Sequence, residues 1–129
     1  MWARGCLLTS LLAAPLYADQ IAVPSGQPVE LSEVLVDTIG TQAWVRFRFL
    51  APDVARSPGK ISYAEAGPDM EALCAEVALP YLKKWAIQAD KVVISLSDRT
   101  VPFGQADPDA TQFFEAYRIE DGACIWEEF

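Results

Sequence analysis

The sequence predicts an α+β fold, in which an antiparallel sheet of about five strands carries one kinked amphipathic helix on one face. Three observations predict it. Short runs of alternating apolar and polar residues recur between turn signals, which is the period of β-strands. One longer segment has apolar residues at helical spacing. Two cysteines, Cys74 and Cys124, lie in that segment and in the final strand, so a disulfide between them would join helix to sheet.

The first half of the chain supplies two strands. Residues 29–36 alternate imperfectly and predict one strand, and residues 37–41 form a turn. Residues 43–50 predict a strong strand whose faces differ. One face carries Val45, Phe47 and Phe49, and the other carries Trp44, Arg46 and Arg48. Two prolines and a glycine make residues 51–59 a loop, and residues 61–63 fit a short edge strand.

The helix follows this loop. Gly67 suits its cap and Pro68 its first turn, where a missing N–H costs nothing. Asp69 and Pro80 fall opposite the apolar stripe, and Pro80 predicts a kink because it frees a backbone carbonyl. The stripe itself consists of Met70, Cys74, Val77, Tyr81 and Trp85.

The C-terminal part predicts a central strand and a hairpin. Residues 91–97 are rich in β-branched side chains, and residues 98–108 form a loop. Asp121-Gly122 is a good hairpin turn. Pairing Glu120 with Ala123 places Ile119 opposite Cys124 and Tyr117 opposite Trp126. An alternative interpretation makes residues 108–117 a short helix capped by Asp107.

The N-terminus predicts export. Residues 1–18 resemble a cleavable signal peptide, with Arg4, an apolar run and a small residue, Ala18, at the expected cut. A membrane anchor and a misassigned start are the alternatives. Residues 19–129 then form a single acidic domain, in the periplasm or secreted. Its two cysteines predict a disulfide in that compartment, and two buried free thiols are the alternative.

Composition excludes several kinds of function. The formal net charge is −8 at pH 7, which disfavours nucleic acid and anionic lipid. Histidine and asparagine are both lacking, so histidine-based acid–base catalysis, the Ser-His-Asp triad and histidine-containing zinc sites are excluded. Calcium ligation by Asp107, Asp109 and Glu115 does not match the EF-hand spacing. We expect no cofactor and no metal.

Polar residues cluster in the loop after the predicted central strand. Arg99 could clamp an anion, with Asp98 or Asp107 as acid or base. The structural alternative has Asp98 closing a turn and Arg99 pairing with a surface carboxylate. Loops at strand ends often carry binding sites, so these residues are ligand or partner candidates.

The hairpin contributes the other candidates. Phe113 and Trp126 belong to a dense aromatic segment that marks a partner surface if one of its faces stays exposed, and core if it does not. Glu115 is a candidate because it faces the C-terminal carboxylates across the hairpin, although such a cluster is commonly just a solvated edge.

The chain also resembles a known protein family. The residues that carry the resemblance are Leu79-Pro80-Tyr81-Leu82, Val93 to Arg99, Pro102-Phe103-Gly104, Thr111 to Ala116 and Cys124 to Glu127. They are similar to a family of short exported alphaproteobacterial proteins without an assigned function. The resemblance implies a compartment and no activity. The leading hypothesis is a non-enzymatic periplasmic module that binds an unknown protein or small ligand of the cell envelope. A small histidine-independent enzyme or enzyme inhibitor using the Asp98/Arg99 loop, and a structural envelope protein, are the alternatives.

Overall fold

A mixed five-stranded sheet organises residues 20–128, which are the residues that the computed structural model describes. The strands lie side by side in chain order, and all neighbouring pairs are antiparallel except β2 and β3. The predicted fold class is confirmed, with one pairing parallel. The strands are β1 (Glu30–Ile39), β2 (Gln42–Leu50), β3 (Lys91–Ser97), β4 (Gln112–Glu120) and β5 (Ala123–Glu127). The predicted signal at 1–18 lies outside the described residues.

The parallel pairing follows from the connection between β2 and β3. A 3-10 turn (Pro52–Val54) leads into a continuous helix made of α1 (Tyr63–Leu73), a π-helical turn (Cys74–Ala78) and α2 (Leu79–Lys84). The helix crosses one face of the sheet and returns the chain to the end of the sheet at which β2 begins. Strand β3 therefore runs in the same direction as β2.

The helix begins earlier than predicted, and residues 61–63 are not a strand. Ser62 is the N-cap: its side chain accepts a hydrogen bond from the Glu65 amide, and the Glu65 side chain bonds back to the Ser62 amide. The π turn lies just before Pro80, which has no N–H to donate within the helix. The inserted residue also rotates the later helix face, so Trp85, predicted to face the core, is more than half exposed.

Two predictions about the C-terminal part are confirmed. The hairpin has the predicted register, with Glu120 opposite Ala123 and Tyr117 opposite Trp126, and the alternative helix over 108–117 is wrong. The Cys74–Cys124 disulfide joins the start of the π turn to β5, with the two Cα atoms 6.3 Å apart. It closes a loop of about 50 residues, which stabilises the fold by about 4 kcal/mol in the loop-entropy treatment.

The hydrophobic core lies between the helix and one face of the sheet. Its largest fully buried side chains are Tyr117, Phe47, Phe49, Met70, Leu73, Ile94 and Leu96. Asp69 is also fully buried, although the sequence placed it opposite the apolar stripe. Residues 23–27 fold over this part of the helix, and Ser25 and Gln27 hydrogen-bond to the Asp69 carboxylate.

The other face of the sheet is partly covered by the 98–111 loop. Arg48 donates to the Val101 carbonyl at 2.7 Å, and the Phe103 ring lies 5.6 Å from both the Arg46 and the Arg48 guanidinium. Arg48 also forms an ion pair with Glu33 at 2.8 Å, so the charge of this arginine is neutralised on this face of the sheet. Within the described range, no helix is long and apolar enough to cross a bilayer.

Candidate functional site

The structure separates the six candidate residues into two groups that share no side-chain hydrogen bond or ion pair. The loop group lies after β3, and the hairpin group lies on the helix side of β4 and β5. The candidate carboxylates are therefore splayed, and they do not converge on one concave pocket. The loop group is Asp98, Arg99 and Asp107, and the hairpin group is Phe113, Glu115 and Trp126.

The loop group is engaged in hydrogen bonds that hold the loop itself. The Asp98 carboxylate accepts from the Thr111 amide at 2.7 Å and pairs with Arg99 at 3.1 Å. Burial opposes ionisation of Asp98, but these hydrogen bonds and the Arg99 charge outweigh it and hold its pKa below the usual value. Asp107 accepts from the Asp109 amide at 2.9 Å, as in an Asx turn.

The hairpin group converges with a fourth residue, Tyr63. We call Tyr63, Phe113, Glu115 and Trp126 the Glu115 patch. The alternation of β4 puts Phe113 and Glu115 on the helix face, and the hairpin register brings Trp126 beside them. The capping box at Ser62 makes Tyr63 the first residue of α1, directly above β4. The Ser62-x-x-Glu65 spacing was the sequence signal that could have placed Tyr63 there.

The carboxylate at the centre of the patch is buried and its aromatic neighbours are exposed. Glu115 is 8% exposed, whereas Tyr63 is 51% and Trp126 is 55% exposed. One Glu115 oxygen accepts from the Tyr63 hydroxyl, and the other accepts from the Trp126 indole N–H at 2.5 Å. The Tyr63 and Phe113 rings meet edge to face with centroids 5.3 Å apart.

The patch holds negative charge without a counter-ion. Among residues 20–128, no lysine or arginine forms an ion pair with Glu115. The hydrogen bond to Glu115, together with burial and the Glu115 charge, raises the pKa of Tyr63, so its hydroxyl stays a donor. An ionised carboxylate offers about four acceptor positions, and two donors leave room for more.

A comparison with Asp69 shows what is unusual about Glu115. Both are buried carboxylates on the helix side of the sheet. Asp69 accepts three hydrogen bonds, from the Ser25 amide, the Ser25 hydroxyl and the Gln27 side chain, and lies beneath the N-terminal segment. Glu115 accepts two, and both donors belong to side chains that are themselves half exposed. Asp69 is therefore a structural carboxylate, whereas Glu115 lies where another molecule can reach its surroundings.

The described part of the chain contains no group of three or more cysteine or carboxylate side chains placed to hold a metal ion. The carboxylate, hydrogen-bond donors and rings of the Glu115 patch suit recognition by charge, hydrogen bonding and aromatic contact.

No curated protein and no solved structure matches the chain. The sequence resembled a family without an assigned function, and the family match confirms that the family has none. The family of unknown function DUF6497 matches residues 8–129, and the chain belongs to that family.

Proposed function

We propose that this chain is a non-enzymatic interaction module and that the Glu115 patch receives a lysine or arginine side chain of a partner protein. The single observation that carries the proposal is the buried Glu115 carboxylate, which lies between two half-exposed aromatic rings and pairs with no cation among residues 20–128. A buried charge is costly unless it is paired, so a cation that arrives with a partner gains more here than at an exposed carboxylate.

The aromatic side chains support the same ligand chemistry. The Tyr63 and Trp126 rings flank the carboxylate, and the faces of such rings attract organic cations. Exposed tyrosine and tryptophan are also enriched where protein partners meet. A partner with a basic surface would be steered toward this chain by its net charge of −8.

The compartment proposed for this interaction is the periplasm, with secretion as the alternative. The Cys74–Cys124 disulfide supports an oxidising compartment, where such bonds persist. A partner of the cell envelope then follows from the same export prediction.

Titration with a short basic peptide tests the proposal. Tetralysine is added to protein purified from the periplasm of an expression host, and the indole N–H signals are followed by heteronuclear NMR. The Trp126 signal should shift saturably, because its N–H bonds to Glu115. Trp44 and Trp85 lie elsewhere and serve as internal references. Tetraglutamate should produce no shift.

Two matched variants assign the binding to the patch. Glu115→Gln keeps the shape and removes the charge, and should weaken tetralysine binding about tenfold. Glu120→Gln removes an exposed carboxylate from the same strand, and should change the affinity less than about twofold. Equal losses in the two variants would mean nonspecific attraction to an acidic surface, and the proposal would be wrong.

A further inference from the structure

A second surface feature lies away from the Glu115 patch, in a groove between the helix and the hairpin. Its walls are the C-terminal half of the helix and the turn end of β4–β5, and residues 86–89 contribute to its rim. The cavity is about 950 Å³, within the size range of small-molecule sites. We call it the hairpin groove. Its apolar lining includes Ala75, Leu79, Leu82, Ile87 and Ile119.

The hairpin groove has an unusual charge for this protein. No carboxylate lines it, although the chain contains 18 acidic residues. The charged side chain in its lining is Lys83. Lys83 forms no ion pair with any residue the structure describes. A single unpaired cation at the rim of an apolar groove complements a ligand with an apolar body and one anionic end.

The walls of the groove are held together covalently. Ala75 follows Cys74 in the helix, and Ile119 lies directly opposite Cys124 in the hairpin. The Cys74–Cys124 disulfide therefore fixes the spacing of the two walls, and the groove exists before a ligand arrives. A preformed groove does not lose binding free energy to ordering its own walls.

We propose that the hairpin groove binds a free single-chain carboxylate amphiphile. The alkyl chain lies along Leu79, Leu82 and Ile119, and the carboxylate pairs with Lys83. This inference does not depend on the proposed function of the Glu115 patch, because the two surfaces share no residue.

Titration with dodecanoate below its micelle concentration tests the inference. The backbone amide of Gly122 and the side-chain amide of Gln88, both in the lining, should shift saturably, while the Trp126 indole stays unchanged. Decanoate and octanoate should bind progressively more weakly, by up to about fourfold for each methylene removed. Dodecyltrimethylammonium, with the same chain and a cationic head, should bind more weakly than dodecanoate.

Two variants and a control locate the site. Ala75→Phe fills the groove from an exposed helix position and should abolish the shifts of Gly122 and Gln88. Lys83→Gln should weaken dodecanoate binding about two- to fivefold, as for an exposed ion pair. Lys60→Gln removes an exposed lysine outside the groove and should leave the affinity unchanged.

Three results would overturn the inference. One is the lack of a saturable shift in the unmodified protein. Another is equal affinity for the anionic and cationic amphiphiles, which would remove the role of Lys83. The third is binding to vesicles of anionic phospholipid without binding to free dodecanoate, which would make the groove a membrane contact.

Discussion

Trp126 donates its indole N–H to Glu115 at 2.5 Å although its ring is half exposed. The contact is a hydrogen bond to a buried charge, and such bonds contribute more than neutral ones. Trp126→Phe keeps an aromatic ring and removes the donor. We expect it to lower the free energy of unfolding by about 1–2 kcal/mol, measured by urea denaturation.

Trp44→Phe is the matched control. The Trp44 indole donates at 3.1 Å to Gln42, an exposed neutral side chain two residues away. Its loss should cost less than about 0.5 kcal/mol. If the two substitutions cost the same, the Trp126 indole does not support a buried charge, and the description of the Glu115 patch is wrong.

Asp98 should make stability depend on pH in the acid range. Its folded-state pKa lies below the usual value, so the stabilisation is present above the unfolded-state pKa of about 3.9 and is lost as the pH falls through the folded-state value. Asp98→Asn should therefore lower the free energy of unfolding by about 1 kcal/mol at neutral pH, through the weakened bonds to Thr111 and Arg99.

The difference between the parent protein and Asp98→Asn should shrink below about pH 4. Urea denaturation at a series of pH values measures it. Asp109→Asn, a change at an exposed carboxylate in the same loop, should change the free energy of unfolding by less than about 0.5 kcal/mol. A pH-independent cost at Asp98 would contradict the assigned pKa direction.

Local patterns were sufficient to predict most of the sheet. The alternation of β2 and the Asp121-Gly122 turn depend on neighbours in sequence, and the hairpin register follows from the turn alone. The disulfide followed from cysteine count and compartment. The hairpin group of candidate residues could also be predicted from a local pattern, because Phe113 and Trp126 lie in one aromatic segment of the sequence.

Contacts between distant segments could not be predicted from the same patterns. The parallel pairing of β2 and β3 depends on how the helix crosses the sheet. Tyr63 and Glu115 are 52 residues apart in sequence and meet in the fold. Asp69 is buried and accepts hydrogen bonds from Ser25 and Gln27, which lie more than 40 residues before it. The π turn, which exposes Trp85, moves every later side chain around the helix, and helical spacing alone does not show it.

Asp69 should contribute strongly to stability. Asp69→Ala removes the acceptor of three hydrogen bonds. The amide group of the buried Gln27 side chain then loses the carboxylate to which it donates. We expect a loss of about 2–4 kcal/mol in the free energy of unfolding. Glu71→Ala, at an exposed position of the same helix, should change it by less than about 0.5 kcal/mol. A small effect at Asp69 would mean that the N-terminal segment does not hold this carboxylate.

Ala86 should be a position where glycine is stabilising. It follows the end of α2 with a φ of 51°, and the Ile87 amide bonds back to the Leu82 carbonyl at 2.9 Å, as at a helix C-cap. A left-handed conformation costs an L-residue about 1–2 kcal/mol, which glycine avoids, while glycine loses more backbone entropy on folding. Ala86→Gly should therefore raise the free energy of unfolding by about 0.5–1 kcal/mol.

The sign of this effect is the test. Ala64→Gly makes the same chemical change at an exposed position within α1, where φ is helical and glycine has no conformational advantage. It should lower the free energy of unfolding by up to about 1 kcal/mol. Thermal and urea denaturation of the two variants should thus move in opposite directions. If Ala86→Gly is as destabilising as Ala64→Gly, then residue 86 is not held in the left-handed conformation in solution.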